Sequence, residues 1–172
     1  MGTKRSKAAA LASRGAMERV SQNVAIIRAN WLALRHHPGR LPPGRSALGY
    51  LRTETYRLAR EIARRKECEV ARQFAMSQGR EQAADEDERG PALFSWLLSG
   101  IVRGEMKRAE LRHLTHELQY ARMHKLPPEL VVGFLLQARL GRSIYERIRR
   151  GETEGWYSAE WRAAELGHVD KG

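Results

Sequence analysis

Residues 17–34 read MERVSQNVAIIRANWLAL and carry the clearest periodic pattern in the chain. Apolar residues recur there at alternating intervals of three and four, which is the spacing of one face of an α-helix. This face, which we call the seam, consists of Met17, Val20, Val24, Ile27, Trp31 and Leu34. The pattern predicts a helix from about residue 8 to residue 36. Its seam is expected to pack against other helices, either in this chain or in a partner.

A second long helix is predicted after the proline-containing turn at residues 41–45, where Ser46 can cap its first turn. On a helical wheel its apolar residues cluster on one side, and arginines occupy the other. The apolar residues are Leu48, Leu51, Leu58 and Ile62, and the basic ones are Arg57, Arg60, Arg64, Arg65 and Arg72. A helix of this kind can bury one face and present a row of guanidinium groups on the other.

Helical patterns return after an acidic segment, beginning near residues 91, 105 and 127. The last one restarts at Ser143, which forms a capping-box pattern with Glu146. Because no strand pattern is present, the chain is predicted to be all-α, a helical bundle of about six helices. It could be one bundle or two helical halves joined by the acidic segment. The predicted organisation is a basic N-terminal helical pair (1–77), an acidic linker (78–90), a C-terminal helical part (91–150) and an acidic aromatic tail (151–172).

Positive charge is concentrated in the segments that read as helices. The net charge is +11, and residues 1–76 alone contain 16 Lys and Arg against 5 Asp and Glu. A surface of this charge attracts polyanions and releases their counterions, so nucleic acid is the expected partner. The residues assigned to phosphate contacts are Arg57, Arg60, Arg64, Arg65, Arg72, Arg147, Arg149 and Arg150. Three tyrosines near these charges, Tyr50, Tyr56 and Tyr145, could stack on bases. For Tyr50 and Tyr145, packing in the core or in an interface is an equal alternative.

Catalytic and metal-binding motifs are not recognisable in the sequence. The one suggestive cluster contains His113, His116, Glu117 and Tyr120, which the wheel places on an outward polar face opposite a leucine stripe. Two histidines three residues apart can share a metal, but a catalytic zinc needs a third ligand and a cleft. We therefore expect no metal, no cofactor and no enzymatic activity.

Cysteine content and hydropathy bear on location. The single cysteine, Cys68, excludes an intrachain disulfide, and the longest apolar stretch, residues 92–102, is too short to span a membrane. The basic N-terminus is not followed by the apolar region of a secretory signal. These features predict a cytoplasmic protein without a membrane partner.

Together these patterns favour a non-enzymatic, nucleic-acid-binding subunit that contacts the phosphate backbone of RNA or DNA. It would work in a nucleoprotein or ribonucleoprotein assembly with other protein subunits or further copies of itself. The profile is similar to the small helical subunits of CRISPR effector complexes and to accessory DNA-binding proteins of plasmids and phages. That similarity is one of class, and it assigns no site residue. The alternative is a helical adaptor that docks a partner helix through the seam.

Overall fold

The computed structural model describes residues 3–36, 42–78, 92–139 and 143–156, with side chains from residue 13 onward. Within these ranges the chain forms seven α-helices, two short 3-10 helices and no strand, which confirms the all-α prediction. The α-helices are α1 (Thr3–His36), α2 (Ala47–Arg64), α3 (Cys68–Ser77), α4 (Leu93–Val102), α5 (Arg108–Met123), α6 (Val131–Ala138) and α7 (Ile144–Arg150). The 3-10 helices are Pro43–Arg45 and Pro128–Leu130.

The seam of α1 is covered by other helices of the same chain. Val20, Val24, Ile27 and Trp31 are all buried, and they belong to one hydrophobic core to which every α-helix contributes. The covering helices are α2, α3 and α4. The predicted packing role of Trp31 is confirmed, since only 2% of its surface is exposed. A partner helix could reach these four residues only if α1 left the core.

One flank of α1 holds the end of α4. Arg28 Nη1 donates a hydrogen bond of 2.7 Å to the carbonyl of Ile101, and Arg35 Nη1 donates one of 3.0 Å to the carbonyl of Glu105. Carbonyl groups at a helix end have no partner within the helix, and positive charge is favourable there. Part of the positive charge of α1 therefore serves the fold.

The second predicted helix is in fact two helices. α2 ends at Arg64, Lys66 takes a left-handed conformation with φ of +60°, and α3 begins at Cys68. Arg72 therefore lies on a different helix from Arg57, and the prediction that they share a helix face was wrong. The helical-wheel prediction did not include this break because neither glycine nor proline marks it in the sequence.

The start of α2 was predicted correctly. The side chain of Ser46 accepts a hydrogen bond of 3.0 Å from the N–H of Gly49. A Cβ atom on Gly49 would lie 2.0 Å from the carbonyl oxygen of Pro43, so the turn fits against the helix only because this residue has no side chain. Leu48, which was predicted to lie on the buried face, is 37% exposed because this first turn extends past the core.

Three helices end on a non-glycine residue with positive φ. The φ angle is +60° at Lys66 after α2, +43° at Arg103 after α4 and +53° at Lys125 after α5. This conformation crowds the Cβ atom and costs roughly 1–2 kcal/mol for residues other than glycine. All three are basic, and a cation near a helix C-terminus recovers part of that cost through the helix dipole.

The predicted outward polar face of α5 is only partly outward. His113 is exposed, but Glu117 and Tyr120 are both fully buried. That part of the prediction was wrong because helical neighbours and the first residues of the tail cover this side, as described below. α5 also begins later than predicted, after the turn that Arg103 and Gly104 make with positive φ angles.

Several predictions concern residues outside the described ranges. They include most of the acidic linker and the tail beyond residue 156. The helices on the two sides of the linker share one core, and α3 packs directly on α4. Ser143 stands at the start of α7 as predicted, although its side chain makes no capping hydrogen bond. No helix in the described ranges combines the length and the apolar character needed to cross a bilayer.

Candidate nucleic-acid interface

A groove with a volume of about 730 Å³ lies between α2 and the C-terminal end of α5, beside the start of α4. The polar residues in the described part of its lining are cationic except for one carboxylate, that of Glu61. The cations are Arg57, Arg60 and Arg64 on α2 and Arg122 and Lys125 at the end of α5. We call these five side chains and the space between them the basic groove. The apolar lining comes from Tyr56, Ala59, Ala63, Leu93, Phe94 and Pro128.

The chain builds the two walls of the basic groove from distant segments. On α2 the spacing of Arg57, Arg60 and Arg64 by three and four residues places them along one helix face. The opposite wall is held in place by hydrogen bonds to the carbonyl of Leu126. Tyr56 donates its hydroxyl to that oxygen at 3.0 Å, and Arg60 Nη1 also donates to it at 3.0 Å.

The five cations differ in how far they are already neutralised. Arg57 pairs with Glu54 and, at 3.2 Å, with Glu129, and the hydrogen bond that it donates to Glu54 contributes most to raising the pKa of this guanidinium. Arg60 is engaged by a backbone carbonyl. The other three cations are exposed, and their side chains make no ion pair or hydrogen bond within the described ranges. They are Arg64, Arg122 and Lys125.

Two predicted contact residues on α2 and α3 lie outside the groove lining. Arg65 pairs with Glu61 at 2.9 Å, and Arg72 pairs with Glu69 at 2.7 Å. Both pairs are local to one helix and exposed, so each weakens the field of its arginine without burying it. A role for either arginine in nucleic-acid binding stays a prediction.

The predicted contact residues on α7 also lie away from the groove. Arg147 forms an ion pair with Glu154, and its side chain is only 12% exposed. Arg150 lies 3.6 Å from Glu152, and Arg149 is exposed. Of these three arginines, Arg147 is the least accessible to a phosphate.

Sequence reasoning missed two residues of the basic groove, Arg122 and Lys125. Both belong to the end of α5, far along the chain from the arginines of α2 that they face. The available signal was the basic end of a helix followed by Leu-Pro-Pro at residues 126–128. Nothing in that pattern says which other helix the turn will meet.

The aromatic side chains beneath the groove belong to the core. Tyr56 and Phe94 have parallel rings, with centroids 6.0 Å apart, and they are 1% and 2% exposed. Their faces are therefore occupied by protein. The prediction that Tyr56 could stack on a base was wrong, because its ring is buried and its hydroxyl holds the opposite wall.

A second cluster of charges is buried where α2, α5 and α6 meet. The carboxylate of Glu117 accepts hydrogen bonds from Arg52 Nε at 2.9 Å and from Arg139 Nε at 2.6 Å, and His113 Nε2 lies 3.2 Å from it. Burial lowers the pKa of the Arg52 guanidinium, although the charge of Glu117 opposes this effect. The cluster fixes three helices together, and it shows why a glutamate is found inside this core.

A third cluster attaches the start of the tail to α5 and α7. Glu154 accepts hydrogen bonds of 2.8 Å from the Tyr120 hydroxyl and from Trp156 Nε1, and it pairs with Arg147. Its own N–H donates to His124 Nε2 at 2.9 Å, so His124 carries its proton on Nδ1 and donates to the carbonyl of Tyr120. Burial lowers the pKa of His124, and burial with the Glu154 hydrogen bond raises the pKa of Tyr120 to about 12.

Metal chemistry finds no support in the described ranges, where no three His, Cys, Asp or Glu side chains are grouped so that they could hold an ion. Comparisons of the chain with protein-family models, with curated proteins and with solved structures give no match. Function is therefore inferred from the geometry and charge of the basic groove.

Proposed function

We propose that this chain binds nucleic acid through phosphate contacts in the basic groove. The observation that carries the proposal is the convergence of five cations on one concave surface, three of them without a partner in the described ranges. Like charges held close together repel one another, and a polyanion removes this repulsion while releasing its own counterions. Arginine suits the task because its planar fork matches the oxygen atoms of a phosphate.

We also propose that the groove binds without catalysing a reaction. Among the described residues that line it there is no histidine, cysteine, serine or aspartate, and Glu61 is already paired with Arg65. General acid–base or nucleophilic catalysis needs such a group, with a shifted pKa or an adjacent base. The chemistry of the lining therefore favours binding.

A role as a cytoplasmic subunit of a larger nucleoprotein assembly, with other proteins or further copies of the chain, is part of the same proposal. It is supported by the small size and the basic, helical character of the chain. The adaptor alternative has less support, because α2, α3 and α4 cover the seam through which it would dock. Recovery of the tagged chain from its native cell, with identification of the bound nucleic acid and proteins, tests the assembly.

The groove itself is tested by removing its unpaired charges. A triple variant, Arg64→Gln with Arg122→Gln and Lys125→Gln, should weaken binding of an oligonucleotide more than tenfold at about 50 mM salt. The slope of log affinity against log salt should fall by about two to three units. Fluorescence anisotropy at several salt concentrations measures both quantities.

The matched control removes three charges outside the groove, with Arg19→Gln, Arg72→Gln and Arg150→Gln. It should lose much less affinity, since these arginines and their carboxylate partners lie outside the groove lining. Equal losses in the two triple variants would place binding on the whole surface instead of in the groove. No binding by the unaltered chain at low salt would reject nucleic-acid binding altogether.

A further inference from the structure

The shape and lining of the basic groove point to a narrower ligand class, and we infer that it takes a single strand, held by phosphates without base stacking. Lys125 is one of the residues that make these contacts. This inference rests on the proposed function. It adds that the ligand is a single strand, that the contacts are to phosphates, and that Lys125 makes one of them.

The cations face a recess from two sides. Arg60 and Arg64 lie on α2, and Arg122 and Lys125 lie on the opposite wall at the end of α5. A single backbone that lies along such a recess meets cations on both sides. Duplex DNA is usually read by an element that protrudes into its major groove, about 12 Å wide. The basic groove is concave, so its charges suit the narrower ligand.

The lining leaves the bases without an aromatic partner. Proteins that grip single strands often add exposed aromatic rings on which the bases stack. Here the two aromatic rings in the described lining, Tyr56 and Phe94, are buried and packed against each other. The contacts that remain are those from guanidinium and ammonium groups, which recognise phosphate regardless of the base.

Lys125 lines the groove and has a left-handed backbone conformation. Its φ of +53° is a conformation that glycine adopts without strain and lysine does not. Lys66 has the same strain at the end of α2, but it does not line the groove. A glycine at position 125 would take this conformation without strain, whereas the lysine places an ammonium group at the groove. Because Lys66 and Arg103 take the same conformation away from the groove, the assignment of Lys125 is carried by its exposed ammonium group, which lines the groove without an ion pair in the described ranges.

The first experiment compares three probes with the unaltered chain at about 50 mM salt. They are a single strand of about 16 nucleotides, an abasic strand of the same length and the corresponding duplex. The abasic strand should bind within about threefold of the single strand, and the duplex about tenfold more weakly. A duplex that binds as well as the single strand, or an abasic strand that binds tenfold more weakly, would overturn the inference and leave the proposed function standing. Failure of all three probes would remove the proposed function itself.

The second experiment compares Lys125→Gly with Lys66→Gly. Both variants should raise the melting temperature, because both relieve a left-handed lysine. Only Lys125→Gly should weaken single-strand binding, by about threefold to tenfold, with a salt slope lower by about 0.7. Lys125→Gln, which removes the charge and keeps the side chain, should lose affinity to the same extent. Affinity unchanged in Lys125→Gln would show that Lys125 makes no contact and would overturn its assignment.

Discussion

Arg52 and Arg64 lie on the same helix and have opposite environments. Arg52 is 6% exposed and is bound to the buried carboxylate of Glu117. Arg64 is exposed at the basic groove and has no ion pair within the described part of the chain. The described arginines therefore include a structural group, which holds helices together, and an unpaired group at the basic groove.

This difference limits what a net charge can say about function. Arg28, Arg35, Arg139 and Arg147 belong with Arg52, because each binds a carbonyl or a carboxylate of another element. A polyanion would gain little from these residues. The number of lysines and arginines thus overstates the cations available for binding, and among the described residues the groove brings five of them together.

The largest effect on stability is expected from disrupting the buried ion pair between Arg52 and Glu117. Glu117→Ala should lower the free energy of unfolding by about 3–5 kcal/mol, because it leaves the charge of Arg52 buried without a partner. Urea denaturation followed by circular dichroism measures the change. A double variant, Arg52→Met with Glu117→Leu, should recover most of the loss, since an apolar pair needs no charge compensation. A single variant as stable as the unaltered chain would mean that the pair is not buried.

Acid should weaken the attachment of the tail through His124. Its folded-state pKa lies below the unfolded value of about 6.5, so the unfolded chain binds the proton more readily. This histidine therefore contributes stability above about pH 6.5, and the contribution is lost as the pH falls toward the lower folded pKa. The slope should be at most about 1.36 kcal/mol per pH unit.

The groups that face His124 are Tyr120 from α5, Phe134 from α6 and Glu154 from the tail, and Trp156 packs on Phe134. Urea denaturation followed by circular dichroism at several pH values measures the effect. His124→Gln should remove this slope between about pH 6.5 and the folded pKa. The same slope in that variant would assign the titration to another group.

Replacing the unpaired arginines of the basic groove should leave the fold intact. Arg64→Gln and Arg122→Gln should each change the free energy of unfolding by less than about 0.5 kcal/mol, because both side chains are exposed and unpaired within the described ranges. Thermal denaturation measures this, and oligonucleotide binding by the same samples should be weaker. Strong destabilisation by either substitution would show that the replaced arginine helps to hold the helices together.

The smallest effect on stability is expected from deleting residues 80–89. This segment contains five carboxylates and two arginines and has no apolar periodicity, so the melting temperature should be nearly unchanged. Its removal raises the net charge by three and should strengthen nucleic-acid binding, most clearly at low salt. Anisotropy at about 50 and 200 mM salt compares the two conditions. Equal affinity of the deletion and the full chain at both would show that these charges do not influence the groove.

The features that the sequence predicts best are local ones. The buried Trp31 follows from helical periodicity, and the cap formed by Ser46 follows from the preference of a serine for a helix start. The break at Lys66 was missed because a lysine replaces the expected glycine. The burial of Glu117 was not predicted because helical-wheel reasoning places every carboxylate on the exposed face. An ion pair can stabilise a carboxylate inside a core.

The candidate site was only half predictable for a related reason. Periodicity within α2 was enough to place Arg57, Arg60 and Arg64 on one face. The opposite wall depends on where the chain returns after α5, and that is decided by contacts such as the hydrogen bond from Tyr56 to the carbonyl of Leu126. Contacts between residues so far apart leave no periodic trace in a single sequence.

The close approach of Gly49 to the carbonyl of Pro43 has a consequence for tracing the ancestry of this fold. Any side chain at this position would force the turn away from α2, so chains descended from the same ancestor should keep a glycine there. They should also keep a capping residue three positions earlier, where Ser46 stands. The pattern Pro-Pro-Gly-x-Ser-x-x-Gly at residues 42–49 is therefore a compact fingerprint for finding distant homologues.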